Sequence, residues 1–133
     1  MDSFDREIIQ KLSADSRTSF LSIAKELGVS EGTIRQRVAK LVARRIIKKF
    51  TIELGTATTA FVEIITSSRV PTQKISEKIK KLGATKVLEV TGRYSIVAFL
   101  QADDLQKLNH LLEEIRSIDG VIQTETFPVL RQY

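Results

Sequence analysis

Phe20-Leu-Ser-Ile-Ala-Lys-Glu-Leu-Gly28-Val-Ser30-Glu-Gly-Thr-Ile34-Arg-Gln-Arg-Val38-Ala-Lys-Leu41-Val-Ala-Arg-Arg45 reads as two short helices separated by a tight turn. Ser19 and Ser30 precede the helical stretches and supply the side-chain oxygen that a first turn needs. Gly28 ends the first helix, where the chain must turn through positive φ. Ile23, Ala24, Leu27, Ile34, Val38 and Leu41 recur at helical spacing and can share one core, with small Ala24 letting the two axes approach. Thr33, Arg35, Gln36 and Lys40 fall away from that stripe and face solvent. This is the pattern of a helix-turn-helix, whose second helix enters a major groove.

The residue types on the open side of the second helix suit that task. Ser30, Gly32, Thr33, Arg35 and Gln36 are candidates for base-edge contact, Arg favouring guanine and Gln adenine. Lys40, Arg44, Arg45, Lys48 and Lys49, together with Arg17, suit phosphates. The plainer alternative is a solvated helix face, and Arg17 or Arg37 could instead pair with Asp5, Asp15 or Glu26. Charge placement favours nucleic acid. The formal net charge is +5, and residues 1–56 hold 11 Lys/Arg against 7 Asp/Glu, a net of +4. Residues 57–133 hold 10 against 9, and seven of the N-terminal cations lie between Arg35 and Lys49. Double-stranded DNA is therefore the expected partner.

Apolar residues make up 42% of the 133 and charged residues 28%, a globular balance. No apolar run approaches the roughly 18 residues of a membrane span, and no secretory leader pattern opens the chain. No membrane partner is expected. Cysteine is absent, so a cytoplasmic setting is the default.

Working outward, Asp2 or Ser3 can cap a first helix carrying Phe4, Ile8, Ile9 and Leu12. After Arg45, the β-branched run Ile46 to Leu54 predicts an extended segment, and residues 55–59 look like a joint. From Ala60 the order is strand, helix, strand, strand, helix, strand. The first helix of this part should open with Pro71 at its first position and stop at Gly83. Strands over 85–91 and 93–101 flank a tight hairpin at Gly92-Arg93. Asp103 with Gln106 resembles a capping box, and the last strand covers 121–129. Ile79, Leu82 and Glu89 recur as Ile115, Ile118 and Glu125, each 36 residues later. Two βαβ halves of this kind predict an α+β chain: an N-terminal helix-turn-helix (winged-helix-like) domain over 1–45, an extended linker strand over 46–59, and a C-terminal ferredoxin-like βαββαβ sandwich over 60–133. Strand Ile96-Val-Ala-Phe-Leu100 is apolar on both faces, which predicts a homodimer through the C-terminal unit.

Nearly the whole chain resembles the Lrp/AsnC (leucine-responsive, feast/famine) family of transcription regulators. The resemblance rests on Phe4-Asp-Arg-Glu-Ile-Ile9 with Leu12, Asp15-Ser-Arg17, Ile23-Ala24, Leu27-Gly-Val-Ser30, Thr33-Ile34, Arg37-Val38, Leu41 and Ile46-Ile47. It continues through Val90-Thr-Gly-Arg-Tyr94, Gly120-Val121 and Thr124-Glu-Thr126. It implies a sequence-specific DNA-binding transcription regulator whose dimers assemble into tetramers or octamers, modulated by a small-molecule effector (an amino acid or related metabolite) bound between dimers. Tyr94, Ser95, Thr124 and Thr126 are the effector candidates, although Thr and Tyr are also ordinary strand residues. Two positions depart from the family pattern. Arg45 stands where glycine is usual, so a different helix end is expected there. Ser95 stands where an acidic residue is common, and a hydroxyl cannot meet an ammonium group with full charge.

The alternative function is an architectural DNA-binding protein with low sequence preference. No nucleophile–base pair, phosphate-cradling glycine loop or clustered metal ligands stand out, so neither enzyme activity nor a cofactor is expected. The single histidine, His110, reads as a surface residue, and Lys78, Lys80 and Lys81 as a solvated helix face.

Overall fold

The computed structural model describes residues 1–55 and 57–133, which form two compact units, Met1–Glu53 and Leu54–Tyr133. The first contains helices α1 (Ser3–Ala14), α2 (Phe20–Leu27) and α3 (Glu31–Ala43). Asp2 caps α1, its carboxylate accepting the Asp5 N–H at 2.9 Å while Asp5 returns the contact to the Asp2 N–H at 3.2 Å. Ser19 and Ser30 cap α2 and α3 as their positions predict, each accepting an N–H three residues on at 3.1 Å. Gly28 closes α2 at φ 66°. Ile8, Leu12, Ile23, Ala24, Ile34 and Val38 form the core, with Phe20, Leu27, Val29 and Ile47 packed on its rim.

The end of α3 differs from the expectation for Arg45. Arg45 adopts φ 56°, its N–H donates to the Val42 carbonyl at 2.9 Å, and the Ile46 N–H reaches the Leu41 carbonyl at 2.9 Å. Those two bonds make a Schellman end, the geometry glycine normally serves. The left-handed turn is kept despite its steric cost, because it satisfies two carbonyls of the last turn. Residues 46–55 join no strand ladder, so the linker is not a strand here and no wing follows α3 among the described residues. A lone extended segment has no partner for its N–H and C=O groups within one chain.

The second unit contains strands β1 (Thr58–Thr66), β2 (Lys86–Glu89), β3 (Ile96–Ala102) and β4 (Val121–Pro128), with helices α4 (Thr72–Lys81) and α5 (Leu105–Arg116). Strand β1 starts two residues inside the stretch expected to be linker. The sheet order is β2-β3-β1-β4 with every pair antiparallel, the ferredoxin-like arrangement read from the repeat. Ala60, Val62, Ile64, Ile96, Ala98 and Leu100 face Ile75, Ile79, Leu108, Leu112 and Ile115 of the helices in one buried layer. Gly120 is required at the entry to β4. Its φ is 95°, and a Cβ there would stand 2.8 Å from both Val70 Cβ and Ile75 Cδ1.

Three local details shift from the sequence reading. Pro71 is the residue before α4, and Thr72 opens the helix. Asp104, not Asp103, caps α5 by accepting the Lys107 N–H at 2.8 Å; Asp103 pairs with the Lys107 ammonium instead. Two adjacent aspartates offer the same oxygen at different register, and only one can reach the first-turn amides. The hairpin between β2 and β3 has a four-residue loop, 91–94, closed by the Val90 N–H on the Ser95 carbonyl at 2.9 Å.

Candidate nucleic-acid interface and effector region

Helix α3 turns Ile34, Val38 and Leu41 into the core, which leaves the rest of its circumference outside. Gly32, Gln36, Lys40 and Arg44 are exposed, and Thr33 is half-buried. Thr33, Gln36, Lys40 and Arg44 line one cleft beside the α1 N-terminus, as the 3.6-residue period requires. At the start of the helix the Ser30 and Thr33 hydroxyls stand 2.9 Å apart. A Cβ on Gly32 would meet only Ser30 Oγ, at 3.8 Å, so the backbone surface there is open.

The arginines divide by role. Arg37 donates to Asp2 at 2.7 Å and Asp5 at 2.9 Å, and its guanidinium lies 5.4 Å from the Phe4 ring centre. It ties α3 to α1, the structural alternative the sequence left open. Those two bonds raise its pKa, and Asp2 is held below the ordinary carboxylate value chiefly by the Asp5 N–H, then by Arg37. Arg35 pairs with Glu31 one turn back and lies 5.8 Å from the Phe20 ring centre. Lys40, Arg44, Arg45 and Arg17 are exposed and make no ion pair among the described residues. Glu26, one of the acids considered for Arg17, pairs with Lys11, while Asp15 accepts the Arg17 backbone N–H at 2.9 Å. The open edge of the helix thus keeps its cations unneutralised except at Arg37 and Arg35.

The four effector candidates do not share one site. Alternation along β4 sends Thr124 and Thr126 to the helix side, opposite Ile64 and Val62. Arg116 of α5 donates to the Thr124 hydroxyl at 3.1 Å. The Thr126 hydroxyl is buried without a hydrogen-bond partner, and Thr126 lines a groove of about 540 Å³ with Leu105, Gln106, Asn109 and Pro128. Tyr94 instead crosses the other face and donates its hydroxyl to Glu125, which raises the phenol pKa. The half-buried Ser95 uses its backbone, its N–H donating to the Ile64 carbonyl at 2.9 Å.

The AsnC-type helix-turn-helix family profile matches residues 1–42, and the Lrp/AsnC ligand-binding domain profile matches residues 59–133. The chain belongs to the Lrp/AsnC family. It is 40% identical to the HTH-type transcriptional regulator LysM of Saccharolobus solfataricus, across 100% of this chain and 96% of that one. Identity to the LysM of Sulfurisphaera tokodaii is 39%, over 98% and 96%. Among solved structures, E. coli AsnC superposes with a TM-score of 0.77 at 32% identity, covering 99% of this chain and 93% of that one.

In this Lrp/AsnC regulator the first unit is the DNA-binding part and the second the ligand-binding part. Sequence reasoning missed Glu125 as the partner of Tyr94, and Leu105, Gln106 and Asn109 as the wall facing Thr126. Periodicity marks Leu105 only as one more apolar helix position, whereas it is 68% exposed. No local pattern carries the Tyr94–Glu125 contact, which spans 31 residues.

Proposed function

We propose that the chain binds operator DNA as a homodimer, through the polar edge of α3, and that a small metabolite bound to the C-terminal unit alters its assembly. The supporting observation is the exposed row Gly32, Gln36, Lys40 and Arg44, on a helix whose opposite side is fully buried. Gly32, Thr33 and Gln36 read base edges; Ser30 positions the helix start, its backbone near the duplex. Lys40, Arg44, Arg45 and Arg17 hold phosphates. Arg35 reaches the duplex by exchanging Glu31 for it, an exposed pair worth about 0.3–0.5 kcal/mol. Two copies present two recognition helices about 34 Å apart, one helical turn of DNA.

The effector reading centres on the groove beside Thr126, where the amide-bearing Gln106 and Asn109 stand among apolar walls. Such a lining suits an uncharged or apolar portion of an amino acid or related metabolite. Thr124, Tyr94 and Ser95 lie outside that groove and would contribute through assembly of dimers into tetramers or octamers.

Competition of promoter fragments against random duplex at one salt concentration tests the function. Selective retention by roughly a thousandfold or more supports a sequence-specific regulator. Equal retention would point to the architectural alternative.

A further inference from the structure

One face of α5 runs along the edge strand β4 and changes character from end to end. Leu105, Asn109, Leu112 and Arg116 recur at helical spacing and so share that face. The first three, with Gln106, Thr126 and Pro128, line the groove beside Thr126, whose lining carries no charged side chain. Arg116 stands one turn beyond Leu112, past the end of the groove. Its Nε–H donates to the Thr124 hydroxyl at 3.1 Å, and its Nη1 donates to the Glu113 carboxylate at 2.7 Å. Nη2 has no partner among the described residues. Glu113 follows Gln106 by seven residues, so it lies on the same shoulder of the helix as the groove's amide. Both members of the ion pair are open to solvent, Arg116 at 48% and Glu113 at 60%.

An α-amino acid needs these two charges for its head. A guanidinium steadied by a neutral strand hydroxyl keeps a forked pair of N–H donors for a carboxylate. A ligand carboxylate on Nη1 and Nη2 displaces Glu113, and an exposed pair within one helical turn resists that exchange little. The freed Glu113 carboxylate then meets the ligand ammonium, one carbon away from the ligand carboxylate. Every charge keeps a partner through the exchange. Ser95 cannot supply that anion, and Glu113 does. Beyond the head, Leu105 and Leu112 suit a methylene stem, while Gln106 and Asn109 offer amides to an uncharged polar end. Resting on the effector reading above, we infer that Arg116 and Glu113 together bind the zwitterionic head of an α-amino acid with an uncharged side chain, Thr124 holding Arg116 in position.

Isothermal titration calorimetry of the full chain tests this with two probe pairs: L-glutamine and glutaramate, L-leucine and isocaproate. The second member of each pair lacks only the ammonium. Arg116→Gln weakens an amino acid and its deamino analogue alike, by about tenfold or more. Arg116→Lys, which keeps the charge but not the fork, recovers part of that loss. Glu113→Gln weakens the amino acid by about tenfold yet leaves the analogue equal or tighter, because the competitor for Arg116 is gone. Lys107→Gln, on the opposite side of α5, changes neither ligand. Circular dichroism melts confirm that the variants fold. Binding indifferent to Arg116→Gln, or an amino acid and its analogue affected equally by Glu113→Gln, would overturn the assignment and leave the groove as the effector site. Wild-type chain that binds neither L-glutamine nor L-leucine would remove the effector reading at this groove, and this inference with it.

Discussion

Arg37 on α3 and Asp5 on α1 lie 32 residues apart in sequence and 2.9 Å apart in space, so the recognition helix is anchored by a guanidinium that its own DNA-facing edge cannot spend. With Asp2 also on that guanidinium, the charge is neutralised within the unit. Arg37→Gln should lower the thermal midpoint of the N-terminal unit, as its circular dichroism reports, yet leave the salt slope of DNA binding unchanged. A slope reduced by about one unit would place Arg37 among the phosphate contacts instead.

The same cluster gives the first helix an acid sensitivity. The Asp2 carboxyl titrates below its ordinary value of 3.8 because the folded state favours its charged form. Its contribution is therefore present above that value and is lost as pH falls through the lowered folded value. Asp2→Asn keeps a capping oxygen but not the charge. The variant should be less stable than wild type near neutrality, and the difference should shrink progressively in acid, read from denaturant midpoints.

Arg45 holds a left-handed backbone that costs a side chain-bearing residue about 1–2 kcal/mol. Arg45→Gly should stabilise the N-terminal unit by about 0.5–1 kcal/mol, since glycine's greater unfolded-state entropy offsets part of the relief. The same change should weaken DNA binding on all sequences and flatten the salt slope by about one unit. A stabilised variant with undiminished binding would separate Arg45 from the phosphates.

Gln36 and Lys40 neighbour each other on one helix edge but carry different information. Gln36→Ala should relax preference at one base position by about 1–3 kcal/mol with little change in salt slope. Lys40→Ala should weaken every sequence alike and take about one unit from the slope. Mobility-shift titrations over a panel of single-base variants resolve the two patterns.

Gly120 tests the packing of the ligand-binding unit. Gly120→Ala must move Val70 or Ile75 and strain φ, so it should cost more than about 1 kcal/mol. Chemical denaturation measures the loss directly.

Local signals were readable wherever one residue type has one use. Ser19, Ser30 and Gly28 stand at the helix ends their chemistry suits, and the 36-residue echo of Ile79 and Ile115 marks two residues that the structure buries fully in α4 and α5. Neighbouring residues with equal chemistry were not separable: Asp103 and Asp104 could each cap α5, and register alone decides for Asp104. Arg45 misled because residue preference argues against a left-handed turn that the hydrogen bonds of the α3 terminus enforce. The effector candidates come from two separate stretches, 94–95 and 124–126, and divide between sheet faces: alternation along β4 opposes Thr124 and Thr126 to Glu125, and Tyr94 reaches the Glu125 side. The pairing of Arg37 with Asp2, 35 residues away, follows from helix packing rather than from any spacing.

Selection of bound duplexes from a random-sequence library by the full chain probes the exposed edge of α3 most directly. The account predicts an enriched, two-fold-symmetric consensus with half-sites about one helical turn apart, lost on Gln36→Ala at its own base position. Recovery of DNA without any consensus, or no recovery even at low salt, would contradict it.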